Sequence, residues 1–146
     1  MSSNEQVLNT GQQATTNYDV SKIFLWNNRF ESGEVQNSTY DDLTLPMGRL
    51  MGRVTITGKL KAHNSSNTDG SEYPIGVLNQ EHIIEAGETK TVSICISGDV
   101  AEEKVVLYGS DLMSTAVDGR QIRDRIQSDS VGIILRTTDE LTGYDN

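Results

Sequence analysis

Cysteine is nearly missing. The one thiol, Cys95, in 146 residues excludes an intrachain disulfide. Its setting, Val92-Ser93-Ile94-Cys95-Ile96, reads as a strand with Cys95 on the face of Ser93 and Ser97. No group nearby would lower its pKa, so it is expected to be an inert structural thiol. Histidine is also scarce: His63 and His82 stand apart, with no Cys or carboxylate at metal-ligand spacing. Each reads as a surface residue, and no metal or cofactor is called for. There is no Gly-x-Ser-x-Gly elbow, P-loop or dinucleotide fingerprint, and no carboxylate spacing favours an acid/base pair. The chain is therefore expected not to be an enzyme. Apolar runs never reach membrane length, and the N-terminus lacks a basic region followed by an apolar stretch. Bases are outnumbered, 12 to 21, giving a net charge of -9. That balance excludes a general binder of nucleic acid or anionic membrane and suits solubility or a basic protein partner. With 35% hydrophobic and 5% aromatic residues, the core is modest and part of the chain lies outside it.

What is present reads as one β-rich domain behind a polar arm. Residues 1–21 are rich in Ser, Asn, Gln and Thr, and such a segment cannot repay its ordering entropy alone. It reads as a frayed terminus or as an arm that orders on a partner. Lys22-Ile23-Phe24-Leu25-Trp26 follows, holding the only Trp. In a chain this poor in aromatics these residues are a core strand or a docking anchor, or both at a domain edge. Residues 43–58 read as two short strands punctuated by Pro46 and glycines, with Val54 and Ile56 alternating with Thr55 and Thr57. A polar surface loop is expected over 61–72, and strands over 91–97 and 100–108 with a turn at Gly98-Asp99. Asp118-Gly119-Arg120-Gln121 resembles a capping box opening a short helix that ends near Gln127. Ile122 and Ile126 share its inner face, and Arg120 can pair with Asp124. Arg120, Arg123 and Arg125 form a small basic patch, read as a solvated helix face or a contact to an acidic partner. Val131 to Arg136 is a closing strand. Short strands with turns every eight to twelve residues are an all-β signature of sandwich or barrel type.

The most informative stretch is Asp69 to Leu78. Asp69-Gly70 signals a tight turn, because Gly accepts positive φ and Asp bonds the nearby backbone. Pro74 lacks an N–H and fits the mouth of a strand. Ile75 and Val77 then point to one face, while Gly76 leaves the other bare, marking a bulge or a close backbone approach. A calcium loop aligned on Gly70 as its sixth position would start at Ser65 and end at Gly76, failing at both ends.

Asp69-Gly70-Ser71 running into Pro74-Ile75-Gly76-Val77-Leu78 resembles the head decoration proteins of tailed bacteriophages, the family of lambda head decoration protein D. Leu45-Pro46-Met47-Gly48 with Gly52-Arg53-Val54 and Thr57-Gly58-Lys59-Leu60 resembles that family's early segment. The turn Gly98-Asp99-Val100, and Asp118 to Ile126 with Gly132-Ile133, resemble its later parts, so the likeness spans about residues 33–136. Each piece is short; their order and spacing carry the resemblance. It implies a β-clip-like small barrel or sandwich with one short helix and a flexible N-terminal arm. Residues 1–30 would be the arm and 31–146 the decoration domain. It further implies a homotrimer on the outer surface of the virion, bound to the major capsid protein of a tailed phage after synthesis in the host cytoplasm. Neither nucleic acid nor membrane would be a partner. In that family an arm adds a strand to the capsid protein. Here the capsid-binding residues would be Val20, Ile23, Phe24, Leu25 and Trp26, with Asp69, Gly70, Pro74 and Gly76 as the structural turn and strand.

Two other classes stand beside it. A ligand- or glycan-binding β module would use exposed aromatics, for which Tyr40, Tyr73 and Tyr108 are candidates. Deoxyuridine triphosphatases share the β-clip scaffold. They need an Arg-Ser-Gly phosphate motif and a glycine-rich tail, and the chain has neither.

Overall fold

Apolar pairs and triplets separated by turn residues are too short for helices, and they pair instead. The computed structural model describes residues 22–137. Its strands are β1 (Phe24–Gln36), β2 (Leu43–Leu45), β3 (Leu50–Arg53), β4 (Leu60–Ala62), β5 (Pro74–Leu78), β6 (His82–Ile84) and β7 (Thr89–Ala101). A 3-10 turn (Glu102–Lys104) leads to β8 (Ala116–Val117), β9 (Arg120–Gln121), the helix α1 (Ile122–Asp129) and β10 (Gly132–Arg136). Strands β1-β4-β3-β5-β7 form a sheet that closes through β1–β7 pairing, and β10 adds to β7 in parallel. The result is an all-β small closed barrel with one α-helix among the described residues. Closure between β1 and β4 rests on the single pair Val35↔Leu60. Gly33 makes it possible, because a Cβ there would lie 2.5 Å from Leu60 Cδ1.

The core divides in two. One cluster joins Leu50, Val77 and Val100 to Ile122 and Ile126 of α1 and Ile133 of β10. The other joins Val35, Met51, Leu60 and Ile94 to Leu45 and Ile84 of the two-stranded β2–β6 ribbon. The four-residue spacing of Ile122 and Ile126 thus buries one helical face, as the sequence pattern requires.

Several expectations change. The boundary at residue 30 falls inside β1, so residues 24–30 belong to the barrel. Thr55-Ile56-Thr57 is a turn, closed by Gly58 N–H donating to Val54 O (2.8 Å), and Ile56 is exposed. Strand β4 occupies the start of the expected polar loop. Gly98 does not turn the chain: β7 runs through it, and Gly98 (φ 101) sits against a bulge in β1 at Asn27 (φ 57). A strand-interior glycine here marks close approach, since a Cβ on Gly98 would lie 2.6 Å from Asn27 O. Asp118-Gly119 is no capping box. It is the two-residue turn of the β8–β9 hairpin, both residues at positive φ (51 and 81). That is the Asp-Gly hairpin chemistry, and α1 instead starts after Gln121 without a side-chain cap. Arg120 is exposed, and the helix carries an Arg125–Asp129 pair (3.7 Å) in place of Arg120–Asp124.

Candidate binding surfaces

The hydrophobic pentad is divided by the edge of the barrel. Val20 lies outside the described residues. Ile23 is buried in the helix-side cluster, and its carbonyl accepts from Ala101 N (2.8 Å). Phe24 packs against the same cluster and meets Phe30 edge-on at 5.3 Å. Leu25 is half-buried, and Trp26 is 73% exposed. The register of β1 on β7 shifts at Phe24/Trp26 and at Trp26/Arg29, so the strand is irregular on both sides of the exposed Trp. Asn28 pins the bulge by donating to Asp99 O (3.0 Å). Between Phe24 and Glu34 the ladder of β1 runs only to β7, leaving its other edge open among the described residues. An open strand edge beside an exposed Trp and a 46% exposed Phe30 is a surface fitted for a partner.

The turn at Asp69-Gly70 is a packed seam. Asp69 Oδ1 accepts from Ser71 N (3.1 Å) and Ser71 Oγ (2.5 Å), and Oδ2 pairs with Lys61 Nζ (2.9 Å). The Ser71 hydroxyl and the Lys61 ammonium hold the Asp69 carboxyl well below the usual carboxylate range. Gly70 has φ 106, and a Cβ there would lie 2.7 Å from Arg53 O. Ser71 backs onto Gly52, whose missing Cβ leaves room for the Ser71 carbonyl. Pro74 is buried at the mouth of β5. Gly76 is both things a strand glycine can be. The register with β3 shifts there, and a Cβ would lie 2.7 Å from Cys95 O. The shift breaks the alternation, so Ile75 packs on the ribbon-side cluster and Val77 on the helix-side one, not on one face. These residues hold the barrel together, with Ser71, Pro74 and Gly76 buried and Asp69 half-buried.

His63 overturns its surface assignment. It is fully buried, its N–H bonds Leu50 O (2.9 Å), and its Nε2 meets Glu72 O at 2.9 Å. The polar residues around it in sequence concealed this, because burial here comes from the turn folding over β3 and β4. Burial pushes the His63 pKa down. Cys95 is fully buried and donates to Ser97 O (3.1 Å), and burial pushes its thiol pKa up. The helix arginines are largely engaged: Arg123 pairs with Glu102 (2.8 Å), and Arg125 lies 5.2 Å from the Tyr73 ring centroid. Tyr73 O–H in turn bonds Asp118.

One feature went unseen in the sequence. A cleft of about 640 Å³ opens between the end of β1, β2, β4 and Tyr108. Val35, Leu43, Leu45 and Leu60 line its floor, with Arg49, Lys59 and Lys61 among its charged groups. Only the tertiary approach of residues 36–44 to 59–67 creates it.

Comparison of the chain with protein-family models and with curated proteins gives no match. Among the described residues no helix is long and apolar enough to cross a membrane. What the geometry defines is a small closed β-barrel with an aromatic, open-edged strand on one side and a cleft at another place.

Proposed function

We propose that the chain is a capsid decoration protein of β-clip type. It binds the outside of an expanded tailed-phage head and stabilises it against internal DNA pressure. It acts as a homotrimer at local threefold sites, and its partner is the major capsid protein. The observation that carries this reading is β1, which presents Trp26 and Phe30 beside an open edge. The polar segment 1–21 leads directly into that strand. Main-chain hydrogen bonds along an added strand supply adhesion with little demand on sequence, and a Trp supplies a hot spot. The resemblance of Asp69–Leu78 to the decoration family supports the same reading, and that stretch forms an internal seam of the barrel.

The mechanism is linkage. A protein that binds the expanded lattice and not its precursor stabilises it by about 2.7 kcal/mol per site at a hundredfold excess over Kd. Many sites multiply the effect, and linked subunits add avidity. No catalysis or cofactor is required. The test is the thermal rupture of expanded heads with and without saturating protein. A rise in rupture temperature that saturates with added protein supports the reading; an unchanged temperature opposes it.

A second reading, a ligand-binding β module, is favoured by the cleft and by the half-exposed Tyr108 on its wall.

A further inference from the structure

The cleft inverts the charge of the chain. The whole sequence carries net charge -9, yet the charged residues lining the cleft are Arg49, Lys59 and Lys61 against Asp42 alone. Asp42 is tied down, its carboxylate accepting from Ala86 N (3.1 Å). Lys59 immediately precedes β4 and Lys61 lies within it, on either side of the buried Leu60. The Lys59–Glu34 pair (3.2 Å) lies at the surface, so that ammonium can reorient at little cost, while Lys61 stays paired with Asp69 (2.9 Å) and adds its charge from there.

Arg49 is the fixed charge. It is 7% exposed, and its guanidinium donates only to main-chain carbonyls: Leu50 O (3.2 Å), Val106 O (3.4 Å) and His63 O (2.9 Å). A guanidinium has five N–H donors, so these bonds leave donors over. Among the described residues no carboxylate lies within ion-pair distance of it; Asp111 is near but is engaged by Ser65 N (3.0 Å) and Ser65 Oγ (2.6 Å). A desolvated cation without a partner carboxylate attracts an anion more strongly than a surface lysine does.

The rest of the wall indicates what body the anion carries. Tyr108, 52% exposed, offers a ring face of the kind that packs on sugar C–H groups. Ser38, Thr39, Thr44, Thr57, Asn64 and Asn67 add hydroxyls and amides to the lining of the cleft. A volume of about 640 Å³ falls in the range of small-ligand pockets and accommodates one or two sugar rings. We propose that this cleft binds an acidic saccharide, a uronate or similar sugar acid. The carboxylate meets Arg49 and the two lysines, and the ring lies against Tyr108. The site begins at Val35 and Gln36, where the open edge of β1 ends, and it does not depend on the capsid reading.

The test titrates the full chain, by calorimetry and by amide chemical shifts, with a glucuronate–N-acetylglucosamine disaccharide. Parallel arms use the same disaccharide with its carboxylate reduced to the alcohol, and an end-blocked Glu-Leu-Glu peptide. The expected result is saturable binding of the acid, with shifts at Leu43, Lys61 and Tyr108, and about tenfold weaker binding of the reduced sugar. Lys59→Gln and Tyr108→Ala alter surface side chains and should weaken binding while leaving the melting temperature in place. Arg49→Lys, checked for folding in the same way, should weaken it most. Equal binding of the reduced sugar, preference for the peptide, or no saturation up to about 10 mM would each overturn the proposal.

Discussion

Three residues show how little freedom the barrel leaves. A methyl group at Gly76 would press on Cys95 O at 2.7 Å and on the Ile94 side chain. Backbone cannot yield as a side chain can, so Gly76→Ala is expected to destabilise by about 1–3 kcal/mol, measured by urea unfolding. Gly70→Ala meets both a positive φ and the Arg53 carbonyl, and should cost at least as much. Cys95 lies at 0% exposure with a raised thiol pKa, so it should resist thiol reagents in the native state and react fully in denaturant. Rapid native-state labelling would contradict its burial.

His63 gives the chain a pH dependence. Its Nε2 is committed to Glu72 O, and among the described residues its buried Nδ1 has no partner, so a second proton would place an unpaired charge inside the fold. Arg49 nearby opposes that charge, while Asp111 and Glu72 favour it; burial outweighs them and lowers the pKa. The unfolded chain therefore takes up the proton first. This contribution to stability is intact above about pH 6.5 and is lost as pH falls below it. Asp69 acts lower on the scale. Its depressed pKa contributes stability above about pH 4, which fades as pH drops toward the folded value. Urea midpoints should thus fall in two stages on acidification, and His63→Gln should flatten the first.

At the scale of elements, β1 and α1 make opposite demands. Ile126 is fully buried on α1, so Ile126→Ala should cost about 2–5 kcal/mol in stability. Trp26, largely exposed on β1, should cost within about 0.5 kcal/mol when changed to Ala, while partner binding falls about tenfold or more. Phe24, packed on the core one turn of the pleat away, should lose stability instead. The legibility of these elements followed from their chemistry. Helix α1 was visible because four-residue spacing of Ile122 and Ile126 is a local signal. The strand at Pro74–Leu78 was visible because Pro and Gly carry backbone instructions. Asp118-Gly119 was misread because the same Asp serves as an N-cap or a hairpin turn, and only the pairing of Ala116 with Gln121 decides between them. The bulge at Asn27 and the burial of His63 depend on partners far away in sequence, as does the cleft.

At the scale of the molecule, closure is what makes the candidate surfaces distinct. Joining β1 to β7 removes one edge of the sheet and, among the described residues, leaves the other side of β1 unpaired from Phe24 to Glu34. A truncation that begins at Gly33 would delete most of the paired length of β1 and so unfold the barrel rather than test the arm. A version beginning at Lys22 keeps every described strand. The decisive measurement is co-sedimentation of three proteins with expanded, DNA-free phage heads: the full chain, the chain from Lys22, and full-length Trp26→Ala. The expected result is saturable pelleting of the full chain, weakened by Trp26→Ala, with the loss on removing residues 1–21 measuring that segment's share of the grip. If the full chain, folded by its melting curve, stays in the supernatant at every concentration, the capsid reading is contradicted.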